Sequence, residues 1–165
     1  MKKCHLACLV VVSMILGFSC FAFAKNPSIL STDDAPAAVG PYSQGVKFGN
    51  LVFTSGQLPM NPTTGNITEG IAEQTQQVME NLKAILAEAK LTFDDVVMVT
   101  VYLKDLSKDF FNAFNQEYAK AFGCFVSQVA GKIDCTGVYV PPRATIQAAE
   151  IPKGALLEIS MIAGK

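Results

Sequence analysis

The chain contains 165 residues, of which 50% are hydrophobic and 16% are charged, and its formal net charge at pH 7 is −1. This length and this share of apolar side chains are enough for one domain with a sizeable core. No basic run is present, which excludes the positively charged surface that nucleic-acid binding needs.

The first 24 residues have the pattern of a signal peptide. Residues 2–3 are lysines, residues 6–18 form an apolar stretch, and Ala22-Phe23-Ala24 is an A-x-A cleavage site. We predict cleavage after Ala24, which leaves residues 25–165 as a single domain in the periplasm or outside the cell, with no membrane anchor. An uncleaved anchor is the alternative, because the apolar stretch and its flank are nearly long enough to span a bilayer.

Cleavage would change the chemistry that the domain can perform. It removes His5, the only histidine, and three of the five cysteines, so that Cys124 and Cys135 remain. Eleven basic and fourteen acidic side chains also remain, which gives a net charge of −3. The loss of histidine excludes histidine-based acid–base catalysis and ordinary zinc sites, and we expect no metal site.

The domain begins with a predicted loose segment, an ordered loop and a β-hairpin. Residues 25–35 are polar, whereas residues 36–44 contain many turn-forming residues and carry Tyr42. Residues 46–53 alternate as two short strands that turn at Gly49-Asn50.

Two helices are predicted, with a strand between them. The first spans residues 68–90 and has apolar residues on one face. Residues 95–103 are rich in β-branched side chains and suit an inner strand. The second helix starts at Asp105 or Ser107 and stops at Gly123. Its aromatic side chains have helical spacing, which indicates a core face rather than a ligand groove. These aromatic residues are Phe110, Phe111, Phe114, Tyr118 and Phe122.

Two further strands, at residues 144–150 and 155–162, complete the domain. The order is therefore hairpin, helix, strand, helix and two strands. This order predicts an α+β fold in which two helices pack on one face of a sheet.

Arg143 is the only arginine in the sequence, and it follows Pro141-Pro142. A guanidinium presents a rigid fork that binds a carboxylate through two parallel hydrogen bonds, which lysine cannot do. In a strand, Arg143 shares a polar face with Thr145 and Gln147, and this face predicts a small-anion site. A structural ion pair is the alternative role for a lone arginine. The opposite face, which we expect to point toward a core, consists of Ala144, Ile146 and Ala148.

Two blocks of sequence, far apart in the chain, carry a recognisable pattern. Residues 142–154 contain P-R-x-x-x-x-x-A-x-x-P-K-G, and residues 156–160 continue as L-L-E-I-S. Earlier, residues 34–45 read D-A-P-A-A-V-G-P-Y-S-Q-G, and residues 54–59 read T-S-G-Q-L-P. Together these blocks resemble the signature of the Rid family (reactive intermediate deaminases, also called the YjgF family). The resemblance covers residues 31–163.

The resemblance implies a fold, an assembly and an activity. The fold is a chorismate-mutase-like α+β fold with a mixed sheet, assembled as a homotrimer with sites in the clefts between subunits. The implied activity is that of a 2-iminobutanoate/2-iminopropanoate deaminase-like hydrolase, which converts small enamine or imine carboxylates such as 2-aminoacrylate to 2-keto acids and ammonia. Such substrates already react with water, so the enzyme orients them and manages protons, and no cofactor is expected.

The resemblance also implies roles for individual residues. Arg143 would bind the substrate carboxylate, and Glu158 would activate or position the attacking water and transfer a proton. The implied substrate-binding residues are Tyr42, Gly56, Asn115 and Thr145. Judged alone, Glu158 could be a solvent-facing strand residue, and Tyr42 and Asn115 could serve packing or capping.

The chain departs from the family at three places. Lys90 follows the first helix where a glycine is usual, and Thr145 stands where many relatives have cysteine. Roughly ten extra residues, bracketed by Cys124 and Cys135, precede the arginine, and an oxidising compartment favours a disulfide between these cysteines. Two free thiols are the alternative. The extra segment leads directly into Arg143 and is therefore expected to shape the mouth of the site.

The relation between Arg143 and Glu158 poses a geometric problem. If the last two strands formed a direct hairpin, Glu158 would face about Gln147, roughly 13 Å from Arg143 at 3.3 Å per residue. One small ligand cannot bridge that distance. Either the two strands are not direct neighbours, or the two residues come from different subunits.

Three functions remain open from the sequence. The first is an exported imine deaminase, which needs an imine source outside the cytoplasm. The second is a trimeric protein that binds small carboxylates or metabolites without turnover, and the third is a chaperone-like or signalling protein. Ribonuclease activity, reported for some relatives, has no support in an acidic, histidine-free, exported chain.

Overall fold

The structure, a computed structural model, describes residues 26–127, 129 and 131–165. The predicted signal peptide lies outside this part of the chain. Among the described residues, no helix is both long enough and apolar enough to cross a membrane.

The described residues form strands β1 to β8, helices α1 and α2, and two short 3₁₀ turns. The strands are β1 (Ser28–Leu30), β2 (Gly45–Phe48), β3 (Leu51–Thr54), β4 (Val96–Leu103), β5 (Phe125–Val126), β6 (Ile133–Asp134), β7 (Arg143–Gln147) and β8 (Leu157–Gly164). The helices are α1 (Ile71–Glu88) and α2 (Lys108–Ala121), and the 3₁₀ turns are Phe93–Asp95 and Pro152–Gly154.

Six strands form one mixed sheet in the order β1-β2-β3-β8-β4-β7. The β4–β7 pair is parallel, and the other neighbouring pairs are antiparallel. The chain reaches β7 from β4 by way of α2, as a parallel pair requires a crossover. Strand β8 then returns to the middle of the sheet, so β4 separates β7 from β8. The last two strands are therefore not direct neighbours, which settles one part of the geometric problem.

Both helices pack on one face of this sheet, and the core lies between the two layers. Alternate residues of β8, from Leu157 to Ala163, are buried under the helices, as the period of a strand requires. Helix α1 contributes fully buried side chains at helical spacing, including Val78, Leu82 and Ile85. The predicted α+β architecture with two helices on one face of a mixed sheet is confirmed.

The helix ends follow the sequence signals, within a few residues. Helix α1 is shorter at both ends than the predicted span of 68–90. Lys90 has a φ of 60°, the left-handed conformation that a glycine adopts without steric cost. Helix α2 follows Ser107, and Gly123, with a φ of 85°, ends the helical path.

The segment before the predicted loop is ordered, so the expectation of a loose stretch at residues 25–35 was wrong. Strand β1 pairs with β2 along the edge of the sheet, and Ala35 is buried. The sequence did not indicate this strand, because it has only three residues, lies among polar ones and buries only Leu30. The predicted hairpin is confirmed as β2–β3, with Gly49 at a φ of 65° in the turn.

The two faces of β7 are arranged differently from the sequence prediction. Arg143 is paired with Val99 and Thr145 with Val101, so both lie on the helix-covered face. The apolar face, which carries Ile146, is the open face of the sheet, and the Ile146 side chain is 49% exposed. The expectation that the apolar face points to this subunit's core was therefore wrong, because both helices cover the other face.

The extra segment is a small hairpin tied to the end of α2. Strands β5 and β6 pair with each other, and a disulfide joins Cys124 to Cys135 as predicted. Cys124, Val126 and Ala119 form a buried cluster, which ties the hairpin to α2. The cluster extends into the link that leads to Arg143 through two partly buried residues, Val138 and Val140.

Candidate active site

Arg143 begins β7, and its guanidinium lies over a layer of aromatic rings from α2. The Cζ atom is 4.6 Å from the ring centroid of Tyr118, 5.2 Å from that of Phe114 and 5.9 Å from that of Phe111. A terminal N–H of the guanidinium donates to Oδ1 of Asn115 over 2.9 Å. These four residues follow one another at helical spacing, so a single face of α2 holds the guanidinium by cation–π contacts and one hydrogen bond.

Arg143 has no carboxylate partner among the described residues, where the salt bridges are made by lysines. Burial lowers the pKa of Arg143 from its ordinary value, yet an arginine stays charged at neutral pH. A partly buried cation without a counter-ion is poorly compensated, so an incoming carboxylate gains a charge-assisted pair of hydrogen bonds. The alternative of a structural ion pair therefore finds no support in this part of the chain.

Thr145 lies two residues beyond Arg143, on the same face of β7. The ladder to β4 begins with a bond from Val99 N to Pro142 O and ends with one from Ala148 N to Leu103 O. In a parallel strand, alternate residues direct their amides to the same side, so the N–H of Thr145 points away from β4. Strand β7 is the edge of the sheet, and this amide is therefore placed to donate to a ligand beside Arg143.

The remaining predicted residues, Tyr42, Gly56 and Glu158, line a separate cleft of about 340 Å³. The carboxylate of Glu158 lies against Gly56, in the space that a Cβ atom at position 56 would occupy. Burial raises the pKa of Glu158, because the charged form loses hydration. A carboxyl group with a raised pKa is better suited to exchange a proton near neutral pH than an ordinary glutamate.

The loop that carries Tyr42 is held by Gln44, a residue that sequence reasoning missed. The Gln44 side chain is buried, and its Oε1 accepts a hydrogen bond from the Thr32 amide over 2.7 Å. Its Nε2 lies within hydrogen-bond distance of the carbonyls of Thr32, Ala35 and Pro36. The only sequence signal for this role is a polar residue placed immediately before the first strand of the hairpin.

The six predicted residues thus form two groups on opposite faces of the sheet. Arg143 lies opposite Val99 on β4, whereas Glu158 lies opposite Tyr102, three residues further along. With two strand spacings added, the two Cα atoms are about 14 Å apart, and their side chains point in opposite directions. Within one subunit, a small ligand cannot contact both groups.

The geometry first defines a class of protein. A mixed sheet with two helices on one face carries, on the covered side, an arginine that forms no ion pair with any described residue. The other side carries a glutamate whose pKa is raised by burial. Across the described residues, no three His, Cys, Asp or Glu side chains are grouped to hold a metal ion. These features define a small α+β protein with groups that can bind an anionic ligand and exchange a proton.

Comparison with known proteins then identifies the family. Residues 32–165 match the family described as endoribonuclease L-PSP. The chain belongs to this family, which is the Rid or YjgF family that the two sequence blocks indicated.

The relatives include proteins with and without an activity in their names. A RutC family protein of Pyrococcus abyssi is 42% identical over 138 residues, which cover 83% of this chain and 96% of the relative. The 2-iminobutanoate/2-iminopropanoate deaminase of Escherichia coli K12 is 38% identical over 140 residues, covering 81% of this chain and 94% of the enzyme. The crystal structure of E. coli TdcF with bound serine matches with a TM-score of 0.73 and 37% identity, covering 84% of this chain and 98% of TdcF.

Proposed function

We propose that this protein hydrolyses small enamine and imine carboxylates to 2-keto acids and ammonia. In the reaction, water adds to the imine carbon, the carbon–nitrogen bond breaks, and the nitrogen leaves as ammonia. An enamine substrate first takes up a proton at its terminal carbon to become the imine. The E. coli relative named as a deaminase, at 38% identity, supports this reaction class.

The observation that carries the proposal is the guanidinium of Arg143, which has no carboxylate partner among the described residues. It is held from one side by aromatic rings and by Asn115, and no described acidic side chain neutralises it. Its position leaves further N–H donors for a carboxylate, and the Thr145 amide points outward at the sheet edge two residues along the same strand. The serine bound in the TdcF structure is also a small α-carboxylate, which supports a ligand of this type.

We assign proton transfer and water positioning to Glu158. Its carboxylate lies in the cleft with Tyr42 and Gly56, and burial raises its pKa. In the protonated form it can donate a proton to the substrate, and in the ionised form it can accept one from the attacking water. One residue can therefore serve both halves of the hydrolysis.

We propose that the complete site forms between two subunits of a trimer, with Arg143 from one subunit and Glu158 from the next. Two observations support this. The two groups cannot meet in one chain, and the open face of the sheet carries exposed apolar side chains that a partner subunit would cover. Exposed apolar residues on this face are Phe48, Leu51, Phe53, Tyr102 and Ile146.

The experiment that tests the function measures keto acid and ammonia released from imines that an amino-acid oxidase generates in situ. We expect activity above the uncatalysed rate, and we expect Arg143→Ala to remove it. Arg143→Lys should also be impaired, because lysine keeps the charge but loses the fork. Lys83→Ala, which removes an exposed cation on α1, is the matched control and should retain full activity.

Each other outcome has a clear meaning. Binding of a keto acid without turnover would favour a carboxylate-binding protein over an enzyme. Full activity of Arg143→Ala would show that the carboxylate site has been assigned to the wrong residue. We do not propose RNA cleavage, because an acidic domain repels the phosphate backbone.

We also propose that the protein acts outside the cytoplasm. The signal-peptide pattern and the disulfide between Cys124 and Cys135 support this location, because disulfides persist in oxidising compartments. Cell fractionation and N-terminal sequencing of the native protein test it. A mature N-terminus at Lys25 is expected, and an intact N-terminus in the cytoplasm would contradict the proposal.

A further inference from the structure

Tyr118 is a buried residue whose hydroxyl has no role in the contacts described so far. The side chain is 4% exposed, and the hydroxyl oxygen has no hydrogen-bond partner among the described residues. An unpaired buried hydroxyl costs folding free energy, and a phenylalanine would fill the same space without that cost. The neighbouring rings, Phe114 on α2 and Phe122 directly after it, are phenylalanines of this kind. Packing alone therefore does not explain the hydroxyl.

The group that faces Tyr118 is the guanidinium of Arg143, whose Cζ lies closer to this ring than to any other ring that it contacts. Burial raises the pKa of Tyr118 to about 12, and the positive charge of Arg143 and the approach of its N–H groups to the hydroxyl oppose that rise. The hydroxyl is therefore neutral at any working pH and lies within the electrostatic reach of the guanidinium. It can accept a hydrogen bond from the guanidinium.

Resting on the proposed function, we propose that Tyr118 is a positioning residue for Arg143: its hydroxyl accepts an N–H of the guanidinium when a carboxylate occupies the site. Substrate would then close a hydrogen-bond network of Asn115, Arg143 and Tyr118. The hydroxyl lies close enough to the guanidinium to interact with it but forms no well-aligned hydrogen bond, and this network would complete that bond.

The number of available donors supports this arrangement. A guanidinium has five N–H donors, and Asn115 accepts one of them. A bidentate carboxylate takes two more, which leaves donors on the side of the aromatic layer. Because Asn115 and Tyr118 lie three residues apart on α2, they support the guanidinium from adjacent positions on one helix face. Two fixed acceptors would hold the plane of the fork, whereas one acceptor allows it to rotate.

The test compares Tyr118→Phe, which removes only the hydroxyl, with the wild-type protein. We measure kcat and KM for 2-iminobutanoate generated by an amino-acid oxidase, and the Kd for 2-oxobutanoate by calorimetry. The loss of one hydrogen bond to a charged group predicts a KM and a Kd that rise about tenfold, with kcat changed less than about twofold. The thermal midpoint of the empty protein should stay the same or rise, because the unpaired hydroxyl is gone.

A control variant separates positioning from packing. Phe122 packs against Tyr118 in a tilted arrangement, with the two ring centroids 4.9 Å apart. Its ring is not among those that the Arg143 guanidinium contacts in the described part of the chain. Phe122→Leu should lower the thermal midpoint and leave KM and Kd near their wild-type values. If Tyr118 served packing alone, Tyr118→Phe would likewise leave KM and Kd near their wild-type values.

The outcomes distinguish this inference from the proposed function. Wild-type KM and Kd in Tyr118→Phe would overturn the inference and leave the deaminase proposal intact. Weaker binding of 2-oxobutanoate by Tyr118→Phe, in a protein without turnover, would support the inference and overturn the deaminase proposal. If the wild-type protein neither binds 2-oxobutanoate nor turns over the imine, both are wrong.

Discussion

The carboxylate of Glu158 occupies the space beside Gly56 that any side chain at that position would need. Gly56→Ala should therefore push the carboxylate out of place while the backbone keeps its conformation. We expect activity to fall about a hundredfold, which is the usual effect of misplacing a catalytic group by about 1 Å. Steady-state kinetics measure the loss, and circular dichroism checks the fold. Wild-type activity in Gly56→Ala would show that the position of Glu158 is not critical.

The raised pKa of Glu158 predicts a pH dependence of stability. Because the pKa in the folded chain lies above that of the unfolded chain, the folded state holds this proton more tightly. The resulting stabilisation is present at low pH and is lost as the pH rises through the folded pKa. At pH 7 the ionised carboxylate is therefore destabilising, and Glu158→Gln should raise the thermal midpoint.

The rise in thermal midpoint caused by Glu158→Gln should shrink as the pH falls below about 4. There the Glu158 carboxyl group is protonated in both the folded and the unfolded chain. Thermal unfolding between pH 3 and pH 8 (a range set by the ordinary titration of glutamate) measures the effect. Glu80→Gln, at an exposed position on α1, is the control and should change the midpoint little at any pH. A gain for Glu158→Gln that is equal at all pH values would contradict the assigned cause.

A site shared between subunits predicts complementation between two inactive variants. Arg143→Ala and Glu158→Gln should each be inactive alone. In mixed trimers formed by refolding the two together, about a quarter of the sites would combine the intact Arg143 of one subunit with the intact Glu158 of its neighbour. The mixture should therefore recover about a quarter of the wild-type activity. No recovery in proven mixed trimers would place the two residues in one subunit or outside the site.

The open sheet face predicts which surface substitutions dissociate the assembly. Phe53 is 41% exposed on this face, and Phe53→Asp should convert a trimer to a monomer and remove activity. Leu106 has the same exposed fraction, 41%, in the link before α2, and Leu106→Asp is the matched control that should remain trimeric and active. Light scattering coupled to gel filtration measures the mass. A wild-type protein that is monomeric and active would contradict the shared site.

The disulfide predicts a stability difference that depends on reductant. It closes a short loop, with a sequence separation of 11. In the chain-entropy model, replacing both Cys124 and Cys135 by serine should lower the free energy of unfolding by about 3 kcal/mol. Thermal unfolding with and without a thiol reductant should show a shift for the wild type and none for the double variant. A mass spectrum with two alkylatable thiols in the oxidised protein would contradict the bond.

Much of the fold could be predicted from local sequence patterns. The β2–β3 hairpin, both helices and β4 follow from alternation, helical spacing and turn residues, which are local properties. Strand β1 was not predicted, because it has only three residues, lies among polar residues and is made a strand by its pairing with β2.

The sequence by itself determined the family of this protein and nominated the residues of its candidate site. A single arginine after two prolines, the block around Gly56 and the glutamate in L-L-E-I-S indicated the family and the candidate site. It also favoured a disulfide between Cys124 and Cys135 over two free thiols, because both cysteines would remain after export into an oxidising compartment.

Only the tertiary structure decided how these residues are arranged. The order of strands places β4 between β7 and β8. The register of the strand pairs places Arg143 on the face covered by α2 and Glu158 on the open face. The same packing turned the aromatic stripe of α2 into a support for the guanidinium as well as a part of the core. Strand order and facing depend on contacts between segments far apart in the chain, so no local pattern encodes them.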